Sequence, residues 1–290
     1  MRVCILNPKP GCFALMRVKD ALMRYAPEDI EFAPADKADL TIINVIGRQD
    51  GVRRTARNIL NKNREYAVIQ YCLRSTQKSK TDGWLPLWAG ANVVWSYLDL
   101  QQAAQIDDVP TSDVYFYHAP LGVDAGVFKP LQQKRRYAIC TSGLYRAESV
   151  REAILAAKQV GRKVLHLGPE LNHQDVECHS GLTDEEVAEV YNQCEFVSGL
   201  RRIEGFELPA AEGLLCGARP IVFDRSHYRK WYKPWAEFIP EGSQMEVIES
   251  LASLFKRGAR AVTKQERMDA ARFFDWRPIV TGFWDRCLNT

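Results

Sequence analysis

Arg201-Arg-Ile-Glu-Gly-Phe-Glu-Leu-Pro-Ala-Ala-Glu-Gly-Leu-Leu-Cys-Gly-Ala-Arg-Pro220 sets two carboxylates, Glu204 and Glu212, around a Gly-Phe turn that opens a short helix. A Cys-Gly exit then leads into an apolar strand at Pro220–Phe223. A helix starting near Glu207 leaves its first N–H groups unpaired and partly positive, a mouth suited to a phosphate or diphosphate. Gly205 lets the backbone approach a ligand with no side chain in the way. Glu204 would lie in the loop at that mouth. Glu212, more than a turn into the helix, could accept hydrogen bonds from vicinal hydroxyls such as those of a ribose. The residues alone also permit an ordinary amphipathic helix with surface glutamates.

Outward from this stretch, apolar runs of strand length alternate with helical patterns, the rhythm of parallel sheets with helices on both faces. Expected strands are Val3–Asn7, Leu40–Val45, Ala67–Tyr71 and Asn92–Trp95, with helices Phe13–Tyr25 and Val52–Asn61. The Pro8–Gly11 turn joins the first strand to the first helix, where open α/β sheets place their ligand crevice. The second half repeats the pattern: strand Tyr137–Thr141, helix Ser149–Val160, strand Lys163–Leu167, helix Asp184–Gln193, strand Glu195–Ser198, helix Glu207–Leu215 and strand Pro220–Phe223. A chain of 290 residues is expected to divide its apolar residues between two cores.

Four segments in order carry a resemblance. Glu204-Gly-Phe-Glu-Leu-Pro209, followed by Glu212 and Cys216-Gly217, resembles the Glu-Gly-Phe-Gly-Leu-Pro signature of the retaining glycosyltransferases of family four, and only Glu207 departs from it. Gly181-Leu-Thr-Asp-Glu-Glu-Val-Ala-Glu-Val-Tyr191, Leu121-Gly-Val-Asp-Ala-Gly-Val-Phe-Lys-Pro130 and Phe274-Asp-Trp-Arg277 are similar to further motifs of that family. The resemblance runs from about Tyr117 to the C-terminus and is weak before it.

The resemblance implies the α/β GT-B fold: two Rossmann-like domains with a cleft between them and a C-terminal helix returning to the first. The expected division is 1–118 for acceptor binding, 119–134 as a crossover, 135–275 for the nucleotide sugar and 276–290 as the returning helix. It also implies transfer of a sugar, with retention, from a nucleotide diphosphate sugar, a UDP-sugar being favoured. Glu204 would meet the donor sugar, Gly205, Phe206 and Leu208 would offer backbone groups, Glu212 would hold the ribose, and Gly181 and Leu182 would lie against the base. Gly11 and Gly143 complete the expected donor-binding residues. Where the family carries an arginine and a lysine for the diphosphate, this chain has Leu144 and no lysine, so Arg146 and Arg202 are the candidate cations. They join Glu204 in the expected catalytic set.

No Asp-x-Asp pair occurs, so metal independence is expected, with the nucleotide sugar as co-substrate and no cofactor. His173, Cys178 and His179 have loose ligand spacing but no fourth partner. His118 and His166 read as structural histidines near cleft strands. The eight cysteines lie mostly within apolar patterns without paired spacing and read as reduced thiols. No run approaches the roughly 20 apolar residues that span a bilayer, and Met1 leads straight into a strand, so a cytoplasmic protein is expected.

Net charge is +3, yet between Arg48 and Lys80 nine cations face two carboxylates, an excess of +7. Such a block favours a polyanion: nucleic acid, an anionic glycan or lipid headgroups. Arg53, Arg54, Arg57 and Arg74 are the candidate acceptor contacts, and Trp84 and Trp88 either stack on a base or sugar ring or pack beneath a loop. A hydroxymethylated base in DNA is one acceptor that fits. A glycan, a lipid-linked sugar and a small hydroxyl compound are others. Outside the transferases stand a non-catalytic nucleotide-sugar-binding relative and an epimerase or phosphorylase-like enzyme.

Overall fold

The computed structural model describes residues 1–7, 13–45, 65–70, 90–97, 114–143, 148–202 and 206–289, with 54, 57–59, 61–62 and 88 besides. The chain divides into two compact units. One comprises Met1–Gly122, Glu204–Phe206 and Trp276–Thr290, the other Val123–Ile203 and Glu207–Asp275.

The first unit is built on a six-stranded sheet of β1 (Arg2–Leu6), β2 (Glu31–Phe32), β3 (Leu40–Val45), β4 (Glu65–Gln70), β5 (Val93–Ser96) and β6 (Tyr115–His118), in the order β2-β1-β3-β4-β5-β6. Every pairing is parallel. A parallel sheet covered on both faces needs strands apolar on both sides. Accordingly Leu40, Ile42 and Ile43 of β3 and Ala67, Val68 and Ile69 of β4 are all buried. Helix α1 (Phe13–Arg24) follows β1. Two aromatic residues of the C-terminal segment close this core: the Phe283 ring lies 5.2 Å from that of Trp95, and Trp284 Nε1 donates to Leu22 O at 3.1 Å. Tyr117 donates its phenol to Ile279 O at 2.7 Å.

The second unit has β7 (Tyr137–Ser142), β8 (Val164–Leu167), β9 (Val176–His179), β10 (Cys194–Gly199), β11 (Arg219–Phe223) and β12 (Glu237–Ile239), in the order β12-β11-β10-β7-β8-β9, all parallel. Numbered from β7, that is the 3-2-1-4-5-6 order of the doubly wound dinucleotide-binding fold. Its helices are α2 (Val150–Gln159), α3 (Asp184–Asn192), α4 (Leu208–Leu215), α5 (Ser226–Tyr232), α6 (Gln244–Arg257) and α7 (Lys264–Phe273), and α8 (Trp276–Leu288) belongs to the first unit. Helices α3, α6 and α7 each open on a capping box, Thr183 with Glu186, Ser243 with Glu246 and Thr263 with Glu266. Each box satisfies two otherwise orphaned N–H groups.

Helix α4 comes from the stretch quoted first. Pro209 sits in its opening turn, and Ala210, Ala211, Gly213, Leu214 and Leu215, small or aliphatic, are buried together with Glu212. A Cβ at Gly213 would lie 2.5 Å from Val197 Cγ1, so glycine there lets α4 lie directly on β10. Strands β2, β6, β9 and β12 were not among those expected from the sequence. Half of the expected helix Val52–Asn61 lies outside the described residues.

Candidate functional site

In a sheet of 3-2-1-4-5-6 order the direction of winding reverses between the first and fourth strands, here β7 and β10, and a crevice opens beyond their carboxyl ends. The residues that follow β7 and β10 therefore define the candidate site of the second unit. Gly143 follows β7 with φ +83°, and a Cβ on it would lie inside the Glu148 carboxylate. Glu148 is buried and makes an ion pair with Arg201, just beyond β10. Ser142 Oγ donates to Glu148 Oε2 at the outer limit of 3.5 Å.

Arg202 sits 3.8 Å from Glu152 Oε1 and 3.6 Å from Glu241 Oε1, with its guanidinium 5.1 Å above the Phe223 ring. Glu241 also pairs with Arg225, which donates to Arg202 O at 3.1 Å. The charge of Arg202 is thus shared between two carboxylates, while Arg201 is held by Glu148.

Glu212, in the middle of α4, is buried, and Tyr191 at the end of the Gly181–Tyr191 stretch donates to its Oε2 at 3.1 Å. Gly181 has φ +71° and shapes the turn that leads through Leu182 to the Thr183 cap of α3. Leu208 is the first residue of α4 and is half-buried. Glu207, the departure from the signature, is the N-cap of α4 and is 2% exposed. It turns its carboxylate to Tyr228 Oη at 3.0 Å, and its carbonyl accepts from Tyr232 Oη at 2.7 Å. These two phenols of α5 hold the entry to α4 rigidly.

Of the other expected site residues, Phe206 is buried in the first unit, its ring 6.0 Å from that of Tyr97. Arg54 and Arg57 are exposed. Trp88 is wholly buried, the packing role that its sequence position also allowed. Gly11, Arg53, Arg74, Trp84, Arg146, Glu204 and Gly205 lie outside the described residues.

His166 is completely buried with Nδ1 2.9 Å from Thr141 Oγ1, and burial pushes its pKa down. A Cβ at Gly168 would come within 2.4 Å of its Nε2. The His173, Cys178 and His179 side chains do not converge. Among the described residues no group of three or more His, Cys, Asp or Glu side chains could hold a metal ion. No described helix is long and apolar enough to cross a membrane.

Sequence reasoning passed over Glu148, Arg201 and Tyr191. Arg201 stands beside Arg202 in the opening stretch, and only the strand end at Gly199 and the partner carboxylates separate their roles. Nothing in the local pattern marks Glu148 as a buried ion-pair partner.

No protein-family model and no curated protein sequence matches the chain. Solved structures do. Sucrose-phosphate synthase from Thermosynechococcus elongatus is similar at TM-score 0.75 and 12% identity, over 100% of this chain and 99% of that one. AviGT4, a glycosyltransferase involved in avilamycin A biosynthesis, is similar at TM-score 0.62 and 11% identity, over 99% and 96%. MnaA from S. aureus, in complex with UDP, is similar at TM-score 0.60 and 9% identity, over 97% and 94%. The chain has the GT-B fold of these structures over its full length, the fold that the sequence resemblance implied.

Proposed function

We propose that the chain is a glycosyltransferase. It takes a nucleotide diphosphate sugar, a UDP-sugar by preference, at the β7/β10 crevice of the second unit and passes the sugar to an acceptor hydroxyl with retention and without a divalent cation. The observation that carries this reading is the Arg201–Glu148 pair beside Gly143 at the point where the sheet reverses its winding.

Cleavage of the sugar–phosphate bond leaves growing negative charge on the diphosphate, so cations and fixed N–H groups held there in advance lower the barrier. In this reading Arg201 supplies that charge together with Arg202, and Arg146 keeps the role that the resemblance gives it. Glu212, held by Tyr191, accepts from the ribose hydroxyls, and Gly181 and Leu182 line the base. Glu204, Gly205 and Leu208 keep the roles at the donor sugar and phosphate that the resemblance gives them. The acceptor is read as a polyanion because Arg54 and Arg57 are exposed members of the basic block. A hydroxymethylated base in DNA remains one such acceptor. The six described cysteines are all free thiols, which suits a cytoplasmic enzyme.

Incubation with UDP-glucose in the presence of a chelator, followed by chromatography of released UDP, tests this reading. Release that falls by about 100-fold or more in Arg201→Ala is expected of a group that stabilises the leaving charge. Release only with added divalent cation would contradict the metal-free account. Release unchanged in Arg201→Ala would remove Arg201 from it.

A further inference from the structure

The first unit has a winding reversal of its own. In the order β2-β1-β3-β4-β5-β6 the chain passes from β1 to β2 on one side and then crosses to β3 on the other, so the crevice beyond the carboxyl ends of β1 and β3 is where a sheet of this order takes a ligand. Asn7 follows β1 and Asn44 stands one residue before the end of β3. The register that sets Leu6 beside Ile43 brings the two amides together there.

Asn44 is 0% exposed, in a strand whose Leu40, Ile42 and Ile43 are apolar and buried. A central parallel strand disfavours asparagine, which packs poorly and needs partners for its amide. Its Nδ2 donates to Asn7 Oδ1 at 2.6 Å, and Asn7 Nδ2 donates to Leu15 O of α1 at 3.3 Å. A carbonyl only accepts, so this relay has one direction: Leu15 fixes the amide of Asn7, and Asn7 fixes that of Asn44. What remains is Asn44 Oδ1, buried and with no hydrogen-bond partner among the described residues. A buried acceptor left unmatched destabilises the fold, and such a cost persists where a ligand supplies the partner. Asn7 is half-buried and forms the accessible side of the pair.

We propose that the β1/β3 crevice of the first unit binds a neutral, hydroxyl-bearing ligand, a sugar or polyol, whose O–H donates to Asn44 Oδ1. An atom that can only accept selects a donor and repels a phosphate or carboxylate oxygen. Ser96 and His118, which end β5 and β6, continue the same carboxyl edge, and with Asn7 and Asn44 they include no carboxylate, lysine or arginine. The ligand's role as acceptor rests on the transferase reading. In that reading the exposed Arg54 and Arg57 draw the anionic part of the acceptor, and Asn44 takes its neutral sugar.

Saturation-transfer NMR on the full chain tests the site with methyl α-glucopyranoside and with its fully O-methylated derivative, which keeps the ring and has no donor. Wild type is expected to bind the glucoside and not the methylated form, with UDP present or absent. Asn44→Leu, of similar volume and without the acceptor, and Asn7→Ala, which lets the Asn44 amide turn, should each weaken glucoside binding by about tenfold. Thermal unfolding of both variants gives a second reading. A pair that only braces α1 against the sheet would lower the melting temperature in both and leave glucoside binding as in the wild type, and that result overturns the site. Wild type that binds both sugars alike, or neither, overturns it without any variant, and UDP binding retained in that protein leaves the transferase reading standing. Glucoside binding that depends on Asn44 in a chain that does not bind UDP keeps the site and overturns the transferase reading.

Discussion

The phenol of Tyr191 donates to Glu212 Oε2 at 3.1 Å, which joins the end of α3 to the middle of α4 inside the second unit. Both residues are buried. A carboxylate so placed is fixed in direction before a ligand arrives, which reduces the ordering cost of binding. Tyr191→Phe keeps the ring and removes the bond. It is expected to weaken UDP binding by roughly 3- to 10-fold, in line with one hydrogen bond to a charged acceptor. Unchanged affinity in a titration would detach Tyr191 from the ribose end of the site.

Glu148 holds Arg201 in an ion pair, and in the proposed donor site it would compete with an incoming phosphate for that guanidinium. Glu148→Gln removes the competing charge and keeps the volume, so UDP should bind several-fold more tightly, with little dependence on salt because the pair is largely buried. A loss of affinity in a titration at two ionic strengths would instead make Glu148 an orienting partner of Arg201.

Arg219 is a buried cation of a different kind. It is 1% exposed and donates to Glu266, at 2.9 and 3.2 Å, and to the carbonyls of Trp235, Arg260 and Ala261, which fastens the start of α7 to β11. Arg219→Ala takes the donor from these carbonyls and leaves Glu266 the exposed Arg260 as its remaining cation among the described residues, and should cost about 3–5 kcal/mol in urea unfolding.

Glu266 reports on the same bond through pH. Burial by itself raises its carboxyl, but the Arg219 guanidinium and the Thr263 backbone N–H and hydroxyl outweigh that and bring it from 4.5 to about 2. A carboxyl with a depressed folded pKa adds stability above its unfolded pKa and loses it as pH falls through the folded one. The contribution is therefore present above about 4.5 and gone below about 2. Unfolding measured across that window should show a shallower pH dependence in Arg219→Met than in the wild type. Equal slopes would mean that Arg219 does not set the Glu266 pKa.

Gly168 is expected to reject a side chain. Its Cβ would lie 2.4 Å from His166 Nε2 and 3.0 Å from Gly143 O. Gly168→Ala should therefore destabilise by about 1–3 kcal/mol through overpacking. His166→Ala in the same chain should recover part of the loss, a coupling that thermal unfolding of the double variant measures. Additive losses would show that the two positions do not press on each other.

The central strands were legible because a parallel sheet buried on both faces writes itself as continuous apolar runs, Leu40–Val45 and Pro220–Phe223 among them. The strands that were missed have weaker patterns. Both residues of β2 are exposed, β12 has three residues, and β9 carries Glu177, Cys178 and His179, a polar run for a strand. At the site, the stretch from Glu204 to Glu212 pointed to α4, but the sequence has no way to show that Glu207 is buried. Its partners Tyr228 and Tyr232 lie more than 20 residues downstream and meet it only through tertiary packing. The Glu148–Arg201 pair likewise spans two strand ends that are neighbours only in the folded sheet.

The central claim is a nucleotide diphosphate site in the second unit, and thermal unfolding of the wild-type chain with UDP, GDP and ADP in the presence of a chelator tests it most directly. Ligand at about 100 times its dissociation constant adds about 2.7 kcal/mol, enough to raise the melting temperature by several degrees. The account predicts a saturable rise with UDP and a smaller one with GDP and ADP. No rise with any of the three would contradict it and leave a GT-B fold that does not bind a nucleotide diphosphate.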